Sequence, residues 1–138
     1  MADTLRLEIV TPSGVAFSED VTMVTLPCVE GQLGIYPQHV PLITELVPGE
    51  IIAHRSGADQ HLAVGSGLVD IGPDRVGIVT DMAMAAEHID EAKVEEARQR
   101  AEARLREHIS DEEIASVNAS LARSLAQLHV KRRHRSRS

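Results

Sequence analysis

The sequence predicts an α+β protein, an N-terminal antiparallel β-sandwich followed by a C-terminal two-helix antiparallel hairpin. Three observations carry this prediction. All six prolines and all nine glycines precede residue 85. These residues punctuate turns and are excluded from helix interiors, so the first part is turn-rich and the second is free to be helical. Short apolar runs with period-two alternation fill the first part, and apolar residues recur at three- and four-residue spacing after Asp90.

Each element follows in order. Leu5, Leu7 and Ile9 alternate with polar residues as in a half-buried strand, and Thr11-Pro12-Ser13-Gly14 reads as a turn. Residues 21–26 are apolar and β-branched, a second strand. Residues 30–42 read as a long loop, with two glycines and two prolines. Its prolines stiffen the backbone on either side of His39, and a preformed loop loses little entropy on binding a partner. Residues 42–47 form a strand closed by Pro48-Gly49. Residues 51–54 and 60–64 flank a turn at 56–59, and residues 68–71 and 75–80 flank Gly72-Pro73-Asp74, giving two hairpins. With one Phe, one Tyr and no Trp, the core must be aliphatic.

In the second part Asp90 caps a first helix, with Glu91 near the positive end of its dipole. Val94, Ala97, Ala101 and Leu105 form one stripe, and Glu96 with Arg100 and Glu102 with Arg106 are spaced for i,i+4 pairing. Ser110 and Glu113 make a capping box for a second helix whose apolar face carries Ile114, Val117, Leu121, Leu125 and Leu128. The short connection makes the helices antiparallel neighbours. Alanine is abundant on both, so the seam between them buries little area and the hairpin is suited to detaching. The expected organisation is a sandwich at 1–86, a hairpin at 87–130 and a basic disordered tail at 131–138.

Charge separates these parts. The chain carries 14 Lys and Arg against 21 Asp and Glu, a net of −7. Lys131, Arg132, Arg133, Arg135 and Arg137 crowd into the last eight positions, which leaves residues 1–130 at −12. Such a body repels nucleic acid, and the missing aromatics remove the platforms that base stacking needs. One cysteine, Cys28, rules out an intramolecular disulfide and a four-cysteine zinc site. No apolar window is long enough to span a membrane, and the start MADTLRLEIV has no secretory pattern.

No catalytic constellation is legible. Neither Gly31-Gln32-Leu33-Gly34 nor Gly65-Ser66-Gly67 ends in the Lys-Ser/Thr of a phosphate loop. The histidines are scattered. His54 and His61 could face each other across the turn at 56–59, but solvated strand histidines are the simpler reading and no metal is expected. Cys28 reads as a buried, inert thiol. No catalytic residue, metal or cofactor is therefore expected.

The stretch EGQLGIYPQHVPL closely resembles the E-G-E-x-G-x-x-P-x-H-x-P-L signature of the epsilon subunit of bacterial F-type ATP synthases. LRLEIVTPSGVAFS, LAVGSGLVDIGPDRVGIVTDMA and IDEAKVEEARQRAE resemble the family's first hairpin, last strands and helix start, so the likeness covers nearly the whole chain. The resemblance implies a non-catalytic rotor subunit in the central stalk that couples proton flow to ATP synthesis. It links the gamma subunit to the membrane ring, on the cytoplasmic side of the bacterial inner membrane, and is peripheral through the complex only. It further implies that Glu30, Gly31, Gln32 and Leu33 face the ring and that His39 and Thr44 face gamma. The C-terminal helices are implied to inhibit ATP hydrolysis by extending into the catalytic head, where Arg123, Lys131, Arg132 and Arg133 would meet acidic surface. ATP is implied as a regulatory ligand at Ile89, Asp90 and Lys93. Two positions depart from the family pattern. Gln32 stands where Glu is common, and Lys93-Val94 stands in place of Arg-Ala, so nucleotide binding is expected to be weak. A free-standing sandwich with a nucleic-acid-binding basic tail is the alternative, against which the acidic body counts.

Overall fold

The computed structural model describes residues 4–137, apart from the side chain of Arg137. Ten strands come first: β1 (Leu5–Thr11), β2 (Gly14–Val21), β3 (Met23–Cys28), β4 (Gly31–Ile35), β5 (Leu42–Leu46), β6 (Gly49–His54), β7 (Gln60–Val64), β8 (Gly67–Ile71), β9 (Arg75–Thr80) and β10 (Ala83–Ala85). A 3-10 turn at Ala86–His88 leads to α1 (Glu91–Leu105) and α2 (Asp111–Arg137). The strands are ordered β10-β7-β6-β3-β5-β8-β9-β1-β2, with β4 folded back on β3. Residues from both ends of this order share one core: Ile51, Leu62 and Val64 on one side, Ile9, Phe17 and Ile78 on the other. The sheet therefore curls over itself into the expected sandwich, filled by aliphatic side chains.

Several local readings change. The segment read as one long loop contains β4, which pairs with β3 from Val24↔Ile35 to Cys28↔Gly31. Leu33 and Ile35 carry the alternation, and Ile35 is fully buried. Gly31, at φ +115°, takes up the tight turn that precedes them. β1 and β9 pair in parallel, the exception in an otherwise antiparallel sheet. Nothing forces antiparallel pairing there, because no hairpin joins those two strands. Val21 ends β2 rather than opening the next strand, and β10 is too short to show a period.

The helices are antiparallel, since Arg132 near the end of α2 meets Glu91 and Glu95 at the start of α1, while Arg104 meets Glu113. Asp90 caps α1 by accepting from the Lys93 N–H at 3.2 Å. Ser110 Oγ accepts from the Glu113 N–H at 3.2 Å, as a capping box requires. The i,i+4 pairs differ from those expected. Among the described residues, the ion pairs within α1 centre on Arg98, with Glu95 and Glu102.

The buried face of α2 also differs. Ser124, Ala126, Leu128 and Val130 are buried, whereas Leu125 is half exposed and Ile114 lies at the surface. The last turns of α2 enter a groove between α1 and the sandwich, so two of its sides are covered and small residues permit the approach. Leu128 and Val130 join Ala63, Ala86, Ile89 and Val94 in a second, smaller core. Burying one such Leu or Val contributes about 1.5–3 kcal/mol, so this core holds the hairpin modestly. The segment from 131, expected to be disordered, is helix through Arg137. Cations in a last turn favour the negative end of the helix dipole, and these also find carboxylate partners.

Candidate functional site

The residues expected to face the membrane ring form the tip of the β3–β4 hairpin. Val29 and Glu30 make its turn, Gly31 opens β4, Gln32 is exposed, and Leu33 packs on the main core. Thr44 Oγ1 donates to Glu30 Oε1 at 2.6 Å and is itself buried. This tip is therefore anchored to β5 rather than free.

The expected gamma-facing pair separates. His39 stands at the surface in the 36–41 connection, its Nδ1 2.6 Å from the Val40 carbonyl oxygen. The Gln38 N–H donates to the Pro73 carbonyl at 2.5 Å, with Gln38 at φ +70°, so the connection is pinned to the β8–β9 turn. Thr44 points inward. Its neighbour Ile43 points outward and is 72% exposed.

Ile43 belongs to a feature that sequence reasoning missed. Leu68 and Val79 are 57% and 62% exposed. They are cross-strand partners, and Val79 pairs in turn with Val10. Ile43 lies on the adjacent strand β5, and all four line a shallow cleft of about 310 Å³ beside the ion pair of Arg75 with Glu8. A contiguous apolar strip on the solvent face of a sheet marks an interaction surface. The available signal was loss of alternation: Leu42-Ile43, Leu68-Val69 and Ile78-Val79 place apolar residues on both faces.

The nucleotide candidates have structural tasks. Ile89 is buried in the second core, and Asp90 is engaged as the α1 cap. A cleft of about 490 Å³ between the helices is bordered by Arg100, Arg104 and Arg123, but not by Ile89, Asp90 or Lys93.

The basic residues expected to contact the head are all engaged within the chain. Arg123 pairs with Asp81 at 3.1 Å, and Lys131 Nζ donates to the Ala86 carbonyl at 3.2 Å. Arg132 pairs with Glu91 and Glu95 on α1, and Arg133 with Glu50 on β6. Among the described residues, no group of three or more His, Cys, Asp or Glu is placed to hold a metal ion. His54 pairs with Asp59 and His61 with Glu50, each apart from the other. Burial, and then the charge of Glu30, push the Cys28 thiol up. No helix of the described residues is long and apolar enough to cross a membrane.

Three hairpin carboxyls sit below their ordinary value of 4.5: Glu87 through the Gln60 amide, Glu95 through Arg98, and Glu113 through Arg104. A depressed folded-state value adds stability that is complete above the unfolded value and is lost as pH falls through the folded one. The hairpin is thus expected to loosen as pH falls below the ordinary carboxylate value of 4.5, before the apolar sandwich core does. Amide exchange followed as the pH is lowered checks this, with α1 and α2 losing protection first.

A ten-stranded sandwich with a helix hairpin clasped to it defines a two-part protein, one core inside the sandwich and a smaller one between the two parts. Known proteins share this division. The model for the ATP synthase Delta/Epsilon chain beta-sandwich domain matches residues 4–86, and that for its long alpha-helix domain matches residues 87–132. The ATP synthase epsilon chain of Herpetosiphon aurantiacus is 41% identical over 133 residues, covering 96% of this chain and 98% of that one. That of Moorella thermoacetica is 40% identical over 126 residues, covering 91% and 94%. The chain belongs to the ATP synthase Delta/Epsilon family. The fold recurs in the Euglena gracilis mitochondrial ATP synthase, resolved with OSCP, F1 and c-ring, where a chain superposes with TM-score 0.72 at 20% identity. That match covers 88% of this chain and 78% of the other. A chain of the Tetrahymena thermophila central stalk and c-ring matches at TM-score 0.51 and 13% identity, covering 61% and 68%.

Proposed function

We propose that this chain is the epsilon subunit of a bacterial F-type ATP synthase. It is a non-catalytic part of the central stalk that links gamma to the membrane ring and carries an inhibitory hairpin. It couples proton flow to ATP synthesis from the cytoplasmic side of the inner membrane, bound there only through the complex. The similarity to epsilon chains over nearly the full length supports the assembly. The strip of exposed Ile43, Leu68 and Val79 with half-buried Val10 carries the docking half of this reading. It is too apolar to be left in water and too shallow for a catalytic pocket.

In this reading gamma covers the strip together with His39, while Glu30, Gly31, Gln32 and Leu33 meet the ring at the opposite end of β5. Gln32 contributes hydrogen bonds there in place of a carboxylate charge. Inhibition requires the hairpin to leave the sandwich, which its small second core allows. Released, Arg123, Lys131, Arg132 and Arg133 become available to acidic surface on the catalytic head. The nucleic-acid alternative loses support, because the cations it needs are paired with Glu50, Glu91 and Glu95.

Affinity purification of the tagged full chain from its own membranes tests the assembly. The catalytic head and the ring should co-purify with it, and the free chain should show no ATP turnover. Recovery of the chain without those subunits would contradict the proposal.

A further inference from the structure

Glu50 is a carboxylate whose side chain is 5% exposed, although it lies on a surface strand. Its neighbour Ile51 points into the main core, so alternation along β6 puts Glu50 on the outer face of the sheet. An outward carboxylate would ordinarily be solvated. Here α2 lies across β6 and β7 and covers it. Glu50 is thus desolvated by the docking of the hairpin rather than by folding of the sandwich.

Desolvating a carboxylate is strongly unfavourable unless cations and hydrogen bonds replace the lost water. Two elements supply them, the sandwich itself and the docked hairpin. Arg133 Nη1, on α2, stands 2.5 Å from Glu50 Oε1. His61 Nδ1, on β7, stands 3.0 Å from Glu50 Oε2, and its ring is 6.4 Å from that of His134. Neighbouring cations of α2 hold other elements: Lys131 holds the 3-10 turn, and Arg132 and Arg135 hold α1. Among the described side chains, Arg133 therefore ties α2 to a buried charge on the sandwich.

We propose that Glu50 and Arg133 form a clasp that sets the fraction of chains whose hairpin has left the sandwich. The pair is asymmetric. Removing Arg133 withdraws a cation from a carboxylate that stays covered while α2 is docked. Removing the charge of Glu50 leaves Arg133 half exposed and hydrated, and also removes the desolvation penalty. Covered but deprived of the Arg133 charge, the carboxylate therefore favours release, and the pair favours docking. As a regulatory device this rests on the reading of the hairpin as the inhibitory element. Its test needs only the full-length chain, so its failure and the failure of that reading are separable.

The test uses Ala126→Cys in a Cys28→Ala background, since residue 126 is buried while α2 is docked. The rate of labelling by a maleimide then reports the open fraction. Arg133→Met should speed labelling about tenfold, equivalent to about 1.4 kcal/mol. Adding Glu50→Gln to Arg133→Met should return the rate to within about threefold of the parent, since coupled residues are non-additive. Arg132→Gln, which loses contacts within the hairpin only, should change it less than about twofold. Labelling unaltered by Arg133→Met, or a double variant as fast as Arg133→Met alone, would overturn the clasp.

Discussion

Replacing Ile43 and Val79 together by aspartate should weaken binding to gamma by at least about 100-fold, or about 2.7 kcal/mol. The two side chains are 72% and 62% exposed, so the sandwich has no need of them. Introduced charge at the centre of an interface must be desolvated without a partner, which makes the loss larger than truncation to alanine would give. Glu112→Ala, on the exposed start of α2, should leave the affinity within about twofold. Calorimetric titration of the folded variants against gamma checks this. Equal losses from both changes would place the gamma surface elsewhere.

Truncation after Glu87 should abolish inhibition of ATP hydrolysis while leaving gamma binding intact. The cut lies beyond β10, so every strand and the whole main core remain. It removes Ile89, Val94, Leu128 and Val130, and with them most of the second core. Two cores rather than one continuous core are what make this separation feasible. Truncation is also cleaner than neutralising single cations. Arg133 holds the hairpin down through Glu50, so its loss both releases the hairpin and blunts its contacts in the head. A truncated chain that still slowed hydrolysis would locate the inhibitor in the sandwich.

The fold was legible wherever a local rule decided it. The distribution of Gly and Pro separated strands from helices, Asp90 and Ser110 marked both helix starts, and alternation at Leu5, Leu7 and Ile9 marked β1. It was illegible where tertiary contact decided. Gly31 and Gly34 hid β4, although Leu33 and Ile35 carried its period. Disorder was the natural reading of residues 131–137, because the partners that hold them in a helix, Glu50 and Glu91, are 83 and 44 residues distant. The face of α2 was misjudged for a related reason. A helix covered on two sides buries Ser124 and Ala126, which no single apolar stripe predicts.

The candidate site divides in the same way. The signature from Glu30 to Leu42 was visible as a motif, and it is anchored by the Glu30 carboxylate on Thr44 and by the Gln38 N–H on Pro73. Thr44 itself turned inward, because the parity of β5 places Ile43 on the outside. The strip with Leu68 and Val79 exists only once β5, β8 and β9 are side by side, a pairing that strand-by-strand reading could not supply.

Fixing the hairpin on the sandwich tests the central claim most directly. Asp81 and Arg123 face each other across that boundary at 3.1 Å. Cysteines at both positions, joined by a short bismaleimide in a Cys28→Ala chain, would hold α2 down while leaving the strip and the β3–β4 tip untouched. The measurement is ATP hydrolysis by the catalytic head bearing this chain, before and after crosslinking. The account predicts that the uncrosslinked chain inhibits, and that the crosslinked chain binds equally well without inhibiting. Undiminished inhibition by the crosslinked chain would contradict it.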